Sequence, residues 1–145
     1  MAVTAYWYGN AMVKVFNKEI DWDTDTIKVA LLTSSYTPDQ DAHDYFDDVS
    51  ANEVSGTGYT AGGETLANKT ITYTGATNVM KLDADDVTWS SSTITARYAV
   101  VYEDTGTPST SPLLLYVDFG QDFSTSGGNF TITWNASGIA TITVS

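Results

Sequence analysis

An alternation of apolar and polar side chains in residues 92–103 is the feature that most constrains the fold of this chain. The apolar positions are Ile94, Ala96, Tyr98, Val100 and Tyr102. A period of two residues places such side chains on one face of a half-buried strand. The same pattern recurs in residues 129–134 and 139–144, on either side of a short Asn- and Gly-containing turn. These two runs therefore predict a β-hairpin.

Two further segments, residues 27–32 and 113–117, are apolar at nearly every position, which is typical of central strands buried on both faces. Residues 71–74 and 87–89 predict shorter strands. The repeated spacing of strands and turns predicts an all-β fold, a single-domain β-sandwich over residues 1–145 with about seven or eight strands in a jelly-roll or immunoglobulin-like arrangement. One or two short helices are expected, in residues 9–20 and 39–49.

Composition supports the β prediction and excludes several partners. The chain has 23 Thr and 13 Ser, whereas Glu, Lys and Arg, which fill exposed helix faces, are scarce. Its 6 basic and 18 acidic residues give a formal charge of −12, which argues against nucleic acid and anionic membranes as partners. The chain has no cysteine, no long apolar run and no predicted signal peptide.

No motif in the sequence predicts a catalytic, cofactor or metal residue. Residues 56–61 fit G-x-G-x-x-A, but no buried strand precedes them and Glu64 would repel a phosphate. We expect a tight loop whose glycines allow another backbone to approach, including one from a partner subunit. The three aspartates at residues 21, 23 and 25 are spaced like the start of an EF-hand calcium loop, but the Gly and the Glu that such a loop needs further along are absent. The Asp clusters at 44–48 and 83–86 are interpreted as turns, with an irregular calcium site as the alternative.

Aromatic residues give the first candidates for an interface. Tyr6, Trp7 and Tyr8 lie near a chain end, where a core cannot easily absorb three large rings, so we predict that they contact a partner. Trp89, Trp134 and Tyr98 are predicted to be core residues because they fall on alternating apolar faces. The remaining alternative is a sugar-stacking platform, for which the candidates are Trp22, Trp89, Trp134 and the residue 6–8 run.

The second candidate contact element is a long excursion, residues 34–65, with little alternation and many glycines. Its interface candidates are Asp44, Tyr45, Phe46, Gly58 and Tyr59. Six carboxylates lie between Asp39 and Glu53, in a stretch that contains no Lys or Arg. Excursions of this length are uncommon in small domains unless they have a function. We therefore expect this segment to lie outside the core and to present negative charge to a basic patch on a partner.

Several stretches of the chain resemble a group of small tailed-bacteriophage virion proteins. They are residues 27–38, 56–63, 96–102, 112–120 and 128–144, in the same order, within a region of roughly residues 20–145. The resemblance rests on pattern rather than on catalytic residues. It implies a minor structural protein of the virion, of the head decoration (cement) type.

From this resemblance we expect a non-enzymatic protein on the capsid surface, made in the host cytoplasm, that binds the major capsid protein. We also expect self-association into a homo-oligomer, with a trimer favoured. No cofactor, nucleic acid or membrane partner is expected. The contact elements would be the N-terminal segment 1–20 and the excursion 34–65. The alternative is a tail-associated receptor- or carbohydrate-binding β module.

Overall fold

A computed structural model describes residues 3–145 and contains ten strands and two short helices in that range. The strands are β1 (Thr4–Trp7), β2 (Ile27–Leu32), β3 (Glu64–Thr65), β4 (Thr70–Thr74), β5 (Val79–Asp83), β6 (Val87–Ser92), β7 (Thr95–Glu103), β8 (Leu113–Ser124), β9 (Gly128–Ile132) and β10 (Ala140–Thr143). The helices are α1 (Ala11–Phe16) and α2 (Asp47–Ser50), and a 3-10 turn spans Pro108–Thr110. The first two residues of the predicted contact segment 1–20 lie outside the described range.

The strands form a layered, entirely antiparallel structure. One layer is a five-stranded sheet of order β1-β8-β7-β2-β3, and the facing layer consists of two smaller sheets, β10-β5-β4 and β6-β9. Side chains from all three sheets meet in one core between the layers, which we call the inter-sheet core. The predicted all-β sandwich with two short helices is therefore confirmed.

The five-stranded sheet is apolar on both faces. Val29 and Leu31 of β2 point into the inter-sheet core, whereas Ala30 and Leu32 point into a second cluster on the opposite face, which we call the outer cluster. All four side chains have 0 % exposure. The sequence predicted a strand buried on both faces here, and the structure confirms it.

The alternation in residues 92–103 does not keep one phase. Ala96 points into the inter-sheet core, but Tyr98, Val100 and Tyr102 belong to the outer cluster, where Tyr98 is only partly buried. The pairing of β7 with β8 shifts register between Ala96 and Tyr98, and a local irregularity of this kind re-aims the side chains that follow it. The prediction that one face carries all five apolar residues is therefore wrong.

The predicted hairpin between the last two strands does not form. β9 pairs with β6, whereas β10 pairs with β5, so the two strands belong to different sheets. Trp134 lies beyond β9 and is half-buried, and its indole N–H donates to the Asp85 carbonyl at 3.0 Å. The connection thus carries the chain from one small sheet to the other, and Trp134 packs at the margin of the core rather than inside it.

Three strands were not anticipated from the sequence: β1, the two-residue β3, and β5. The two helices are shorter than the segments predicted to contain them. α1 spans six residues and α2 four, and most of residues 34–46 is irregular chain rather than helix. In the part of the chain that the structure describes, no helix combines the length and apolarity needed to cross a membrane.

Glu103, at the end of β7, is an unusual carboxylate in this fold. Its Oε2 atom is buried and has no hydrogen-bond partner among the described residues. Burial, together with the nearby carboxylates of Asp25 and Glu19, raises the pKa of Glu103 to about 7. The ionised form is therefore penalised in the folded chain but not in the unfolded one.

We predict that Glu103→Gln stabilises the protein in a pH-dependent way. Because the folded pKa lies above the unfolded one, the favourable contribution of neutral Glu103 is complete below about pH 4.5 and is lost as pH rises through about 7. The substitution should raise the free energy of unfolding by about 1–2 kcal/mol at pH 8, a value discounted for partial solvation, and change it little at pH 4. Urea unfolding of both proteins at the two pH values measures this, and equal gains at both would contradict it.

Candidate functional site

Parts of the two predicted contact elements lie against each other on the outer face of the five-stranded sheet. We call this combined surface, residues 8–19 and 36–50, the outer layer. The hydroxyls of Tyr8 and Tyr36 are hydrogen bonded at 2.7 Å, and the Gly9 N–H donates to the Gln40 carbonyl at 2.8 Å. The helix and the first part of the excursion therefore form one surface, although they are far apart in the sequence.

Two of the predicted interface aromatics are core residues instead. Tyr8 has 1 % exposure and Phe46 has 5 %, and both belong to the outer cluster. The Phe46 ring stacks on that of Tyr102, with centroids 4.1 Å apart and planes inclined by 6°. The outer face of the sheet is apolar, so its burial from water stabilises the fold, and the rings of Tyr8 and Phe46 shield it from solvent. The expectation that the excursion lies outside the core is therefore wrong, since Val54 of its second half is also buried, in the inter-sheet core.

The other two residues of the N-terminal aromatic run keep some exposure. Tyr6 is 41 % exposed and stacks on Tyr116 with ring centroids 5.0 Å apart. Trp7 is partly buried and packs against both clusters. Of the three aromatics predicted as contacts, Tyr6 is thus the one whose ring is most available to a partner.

Gly58 and Tyr59 lie in the second half of the excursion, away from the outer layer, and serve the fold itself. A Cβ on Gly58, where φ is +77°, would lie 2.8 Å from the Ser92 Cα. The Tyr59 hydroxyl donates to Glu53 Oε1 at 2.6 Å and accepts the Leu31 N–H at 3.0 Å. The backbone that the glycine-rich loop approaches is therefore the chain's own rather than that of a partner subunit, and contact of Gly58 and Tyr59 with a partner stays a prediction.

Glu53 is also directed inward, which removes it from the predicted negative surface. Its Oε1 accepts both the Tyr59 hydroxyl and the Gly62 N–H, the latter at 2.6 Å. Burial raises the pKa of Glu53, and these two hydrogen bonds partly oppose that effect. The Glu53 carboxylate therefore stabilises the glycine-rich loop through hydrogen bonds and does not face a basic partner.

Lys14 joins α1 to the excursion. Its side chain has 5 % exposure, its ammonium donates to the Asp44 carbonyl, and it lies 3.6 Å from the centroid of the Tyr45 ring. Burial lowers the pKa of Lys14, while Asp44 and Glu19 favour its charged form. Asp44 and Tyr45 are consequently half-buried residues that hold the layer together.

The opposite side of α1 is exposed and apolar. Val13 is 54 % exposed and Phe16 is 85 % exposed. The two residues are three positions apart, so their side chains are neighbours on the helix surface. Sequence analysis missed them because the alternation of Ala11, Val13 and Val15 and the i, i+4 spacing of Met12, Phe16 and Ile20 gave no single apolar face.

Four aspartates of the outer layer remain exposed: Asp39, Asp41, Asp47 and Asp48. Asp39 and Asp48 also stabilise the local turns. Although partial burial acts in the other direction, the N–H groups of Asp44 and Tyr45 hold the pKa of Asp48 below its ordinary value. The predicted negative surface thus consists of these four side chains.

Most cations of the molecule are already engaged elsewhere. Lys28, Lys81 and Arg97 form ion pairs with Asp104, Asp83 and Asp118 at 2.7, 3.2 and 3.0 Å. The Lys69 ammonium donates to the Asp25 carbonyl at 2.9 Å. With Lys14 buried as well, little positive charge is left to offset the exposed aspartates.

No metal centre is evident in residues 3–145, where no group of three His, Asp or Glu side chains is placed to hold an ion. The aspartates of the 21–25 turn accept backbone N–H groups: Asp21 Oδ1 takes those of Asp23 and Thr24, each at 3.2 Å. Asp85 accepts the side-chain amide of Asn68 at 2.6 Å. These contacts fit the interpretation of the acidic clusters as turns.

The aromatic residues proposed for a sugar platform are mostly internal. Trp22 is 6 % exposed and Trp89 is 1 % exposed, and both belong to the inter-sheet core. Together with the half-buried Trp134, they do not form an exposed, coplanar set.

No family model matches this chain, and neither the curated proteins nor the solved structures include a match to it.

We predict that Tyr8 contributes to stability as a core residue and that Tyr6 does not. Tyr8→Ala should lower the free energy of unfolding by about 3–5 kcal/mol, because it leaves a cavity in the outer cluster. Tyr8→Phe keeps the ring and should cost about 1 kcal/mol through loss of the bond to Tyr36. Tyr6→Ala, the control, should cost about 1 kcal/mol or less. Urea unfolding measures all three, and equal losses for the two alanine variants would contradict the assignment.

Proposed function

We propose that this chain is a non-enzymatic structural protein of a phage virion. It binds the major capsid protein on the capsid surface and stabilises the shell as a decoration (cement) protein. The support comes from the sequence resemblance and from the outer layer. The observation that carries the proposal is the surface of α1, which buries Lys14 at 5 % exposure and presents Phe16 at 85 %.

A helix on the surface of a soluble domain normally buries apolar side chains and exposes charged ones. In α1, by contrast, Lys14 is buried and contacts Asp44 and Tyr45. The exposed positions of the helix carry Val13 and Phe16. An exposed apolar pair next to polar surface is typical of a site that another protein covers. The α1 face would therefore be the apolar centre of the contact with the capsid.

The exposed aspartates of the outer layer would provide the polar surroundings of that contact. Negative charge of this kind accelerates docking on a basic patch and makes binding sensitive to salt. The proposed partner surface on the capsid protein is accordingly basic with an apolar depression. Self-association of the chain as a homo-oligomer would add avidity when several copies engage one shell.

The first test replaces the exposed ring on α1. Phe16→Asp should weaken binding to empty expanded heads of the phage that encodes the chain by about tenfold or more, because hot-spot aromatics dominate such contacts. Tyr73→Asp is the matched control, since Tyr73 is 57 % exposed on β4 and belongs to a different surface. Sedimentation of heads with bound protein measures the affinity. Equal binding by the two variants, each with an unchanged thermal melt, would overturn the assignment of α1.

A second test addresses the charges. The double variant Asp41→Asn with Asp47→Asn leaves the turn-stabilising contacts of Asp39 and Asp48 in place. It should associate with heads more slowly than the parent at low salt, and the difference should disappear at high salt. The control removes two exposed charges elsewhere, at Asp23 and Asp122. If both double variants behave alike, the outer layer is not the charged contact.

The alternative function is a tail-associated receptor- or carbohydrate-binding module. It depends on an aromatic platform, and the burial of Trp22 and Trp89 leaves it with less support than the capsid proposal. Binding to a glycan array together with failure to bind heads would favour this alternative.

A further inference from the structure

The sandwich is open along one side, because β9 and β10 separate instead of forming a hairpin. A groove of about 620 Å³ runs between β9, the residue 133–139 connection and the edge formed by β1 and β8. A second groove adjoins it along β1 and shares Ala5, Asn135, Gly138 and Ile139 with the first. We call the two grooves together the seam.

Two strand edges border the seam. β1 is the last strand of the five-stranded sheet, and β9 is the last strand of the two-stranded sheet. Each therefore presents one backbone edge that pairs with no other strand of the described chain. Exposed strand edges are ready to pair with another chain, and proteins usually protect them with charge or proline. Neither β1 nor β9 contains such a residue.

Apolar side chains of the inter-sheet core line the larger groove. They include Phe119, Phe130 and Ile132, each 7 % exposed. Phe123, which lines the same groove, is 43 % exposed. The seam thus combines two strand edges that pair with no other described strand with the exposed ring of Phe123, and an added strand or a second molecule would bury both features.

The seam carries no charge. Sixteen residues line the larger groove and ten line the adjoining one, and none of them is Asp, Glu, Lys, Arg or His. In a chain with a net charge of −12, two copies repel each other over most orientations. An uncharged apolar face is where two such copies approach at the lowest electrostatic cost.

We propose that the seam is the contact surface for a second copy of this chain, with seam facing seam about a twofold axis. Such a contact is self-complementary, and the roughly twenty lining residues match the 20–30 per side of a standard interface. The resulting assembly is a dimer, whereas the family resemblance favours a trimer. The proposal is independent of capsid binding, because the seam and the α1 face are different surfaces.

The first experiment measures the molar mass of the purified full chain by light scattering. The parent should have twice the 15.6 kDa mass of one chain. Phe123→Asp places a charge in the seam and should raise the dissociation constant of the dimer by about tenfold or more. Phe16→Asp, the same substitution outside the seam, should leave the mass unchanged. A monomeric parent, or a folded Phe123→Asp variant that dimerises like the parent, would overturn the proposal.

A second measurement does not require the fold to tolerate the charge introduced by Phe123→Asp. Because the chain lacks cysteine, a single introduced cysteine can be cross-linked only to the same cysteine of another copy. Ala5→Cys lies on β1 in both grooves, and Ala76→Cys, at an exposed position between β4 and β5, is the control. A short bismaleimide should cross-link Ala5→Cys into dimers and leave Ala76→Cys monomeric. Equal cross-linking of the two would contradict the proposal.

The two proposals fail separately. Loss of the dimer in a protein that still binds heads would leave the capsid function standing, and the monomer should bind more weakly through lost avidity. A parent that forms the seam dimer but does not bind heads would contradict the capsid function alone.

Discussion

Burial of both faces of the five-stranded sheet is the constraint on which the rest of this structure depends. Val29 and Leu31 point to one side, Ala30 and Leu32 to the other, and none of them contacts solvent. Antiparallel sheets commonly leave one face to water, whereas this one needs cover on both. Each large apolar side chain so buried contributes about 1.5–3 kcal/mol, so the covering segments are held by many such contributions.

The outer cover explains the character of the proposed capsid-facing surface. The N-terminal segment and the excursion insert Tyr8, Tyr36 and Phe46 into the outer cluster and are fastened together by Lys14. Once α1 uses its lysine internally, its remaining face is left with Val13 and Phe16. The exposed apolar pair is thus a consequence of how the layer is attached, and it is the feature on which the proposed capsid contact rests.

The inner cover is built differently and leaves a different surface. Two separate sheets share the task, and the chain leaves β9 and crosses to β10 without pairing the two strands. The gap leaves Phe119 and Phe130 at the margin of the core and two strand edges beside it. The residues that line this margin are uncharged in a strongly acidic chain, and the proposed contact with another copy rests on that difference.

The sequence by itself determined the all-β class, most of the strands and the acidic character. Alternation with a period of two, abundant Thr and scarce helix formers are local properties that need no knowledge of the fold. Only the tertiary structure decided which face each residue occupies. The register shift after Ala96 moved Tyr98 to the outer cluster, and the separation of β9 from β10 left Trp134 at the margin of the core. Tyr8 and Phe46 are core residues because they cover the apolar outer face of a sheet built from strands distant in the sequence. Tyr59 faces inward, where its hydroxyl is hydrogen bonded to Glu53. Long-range packing is set by which segments meet in space, and local pattern does not record that.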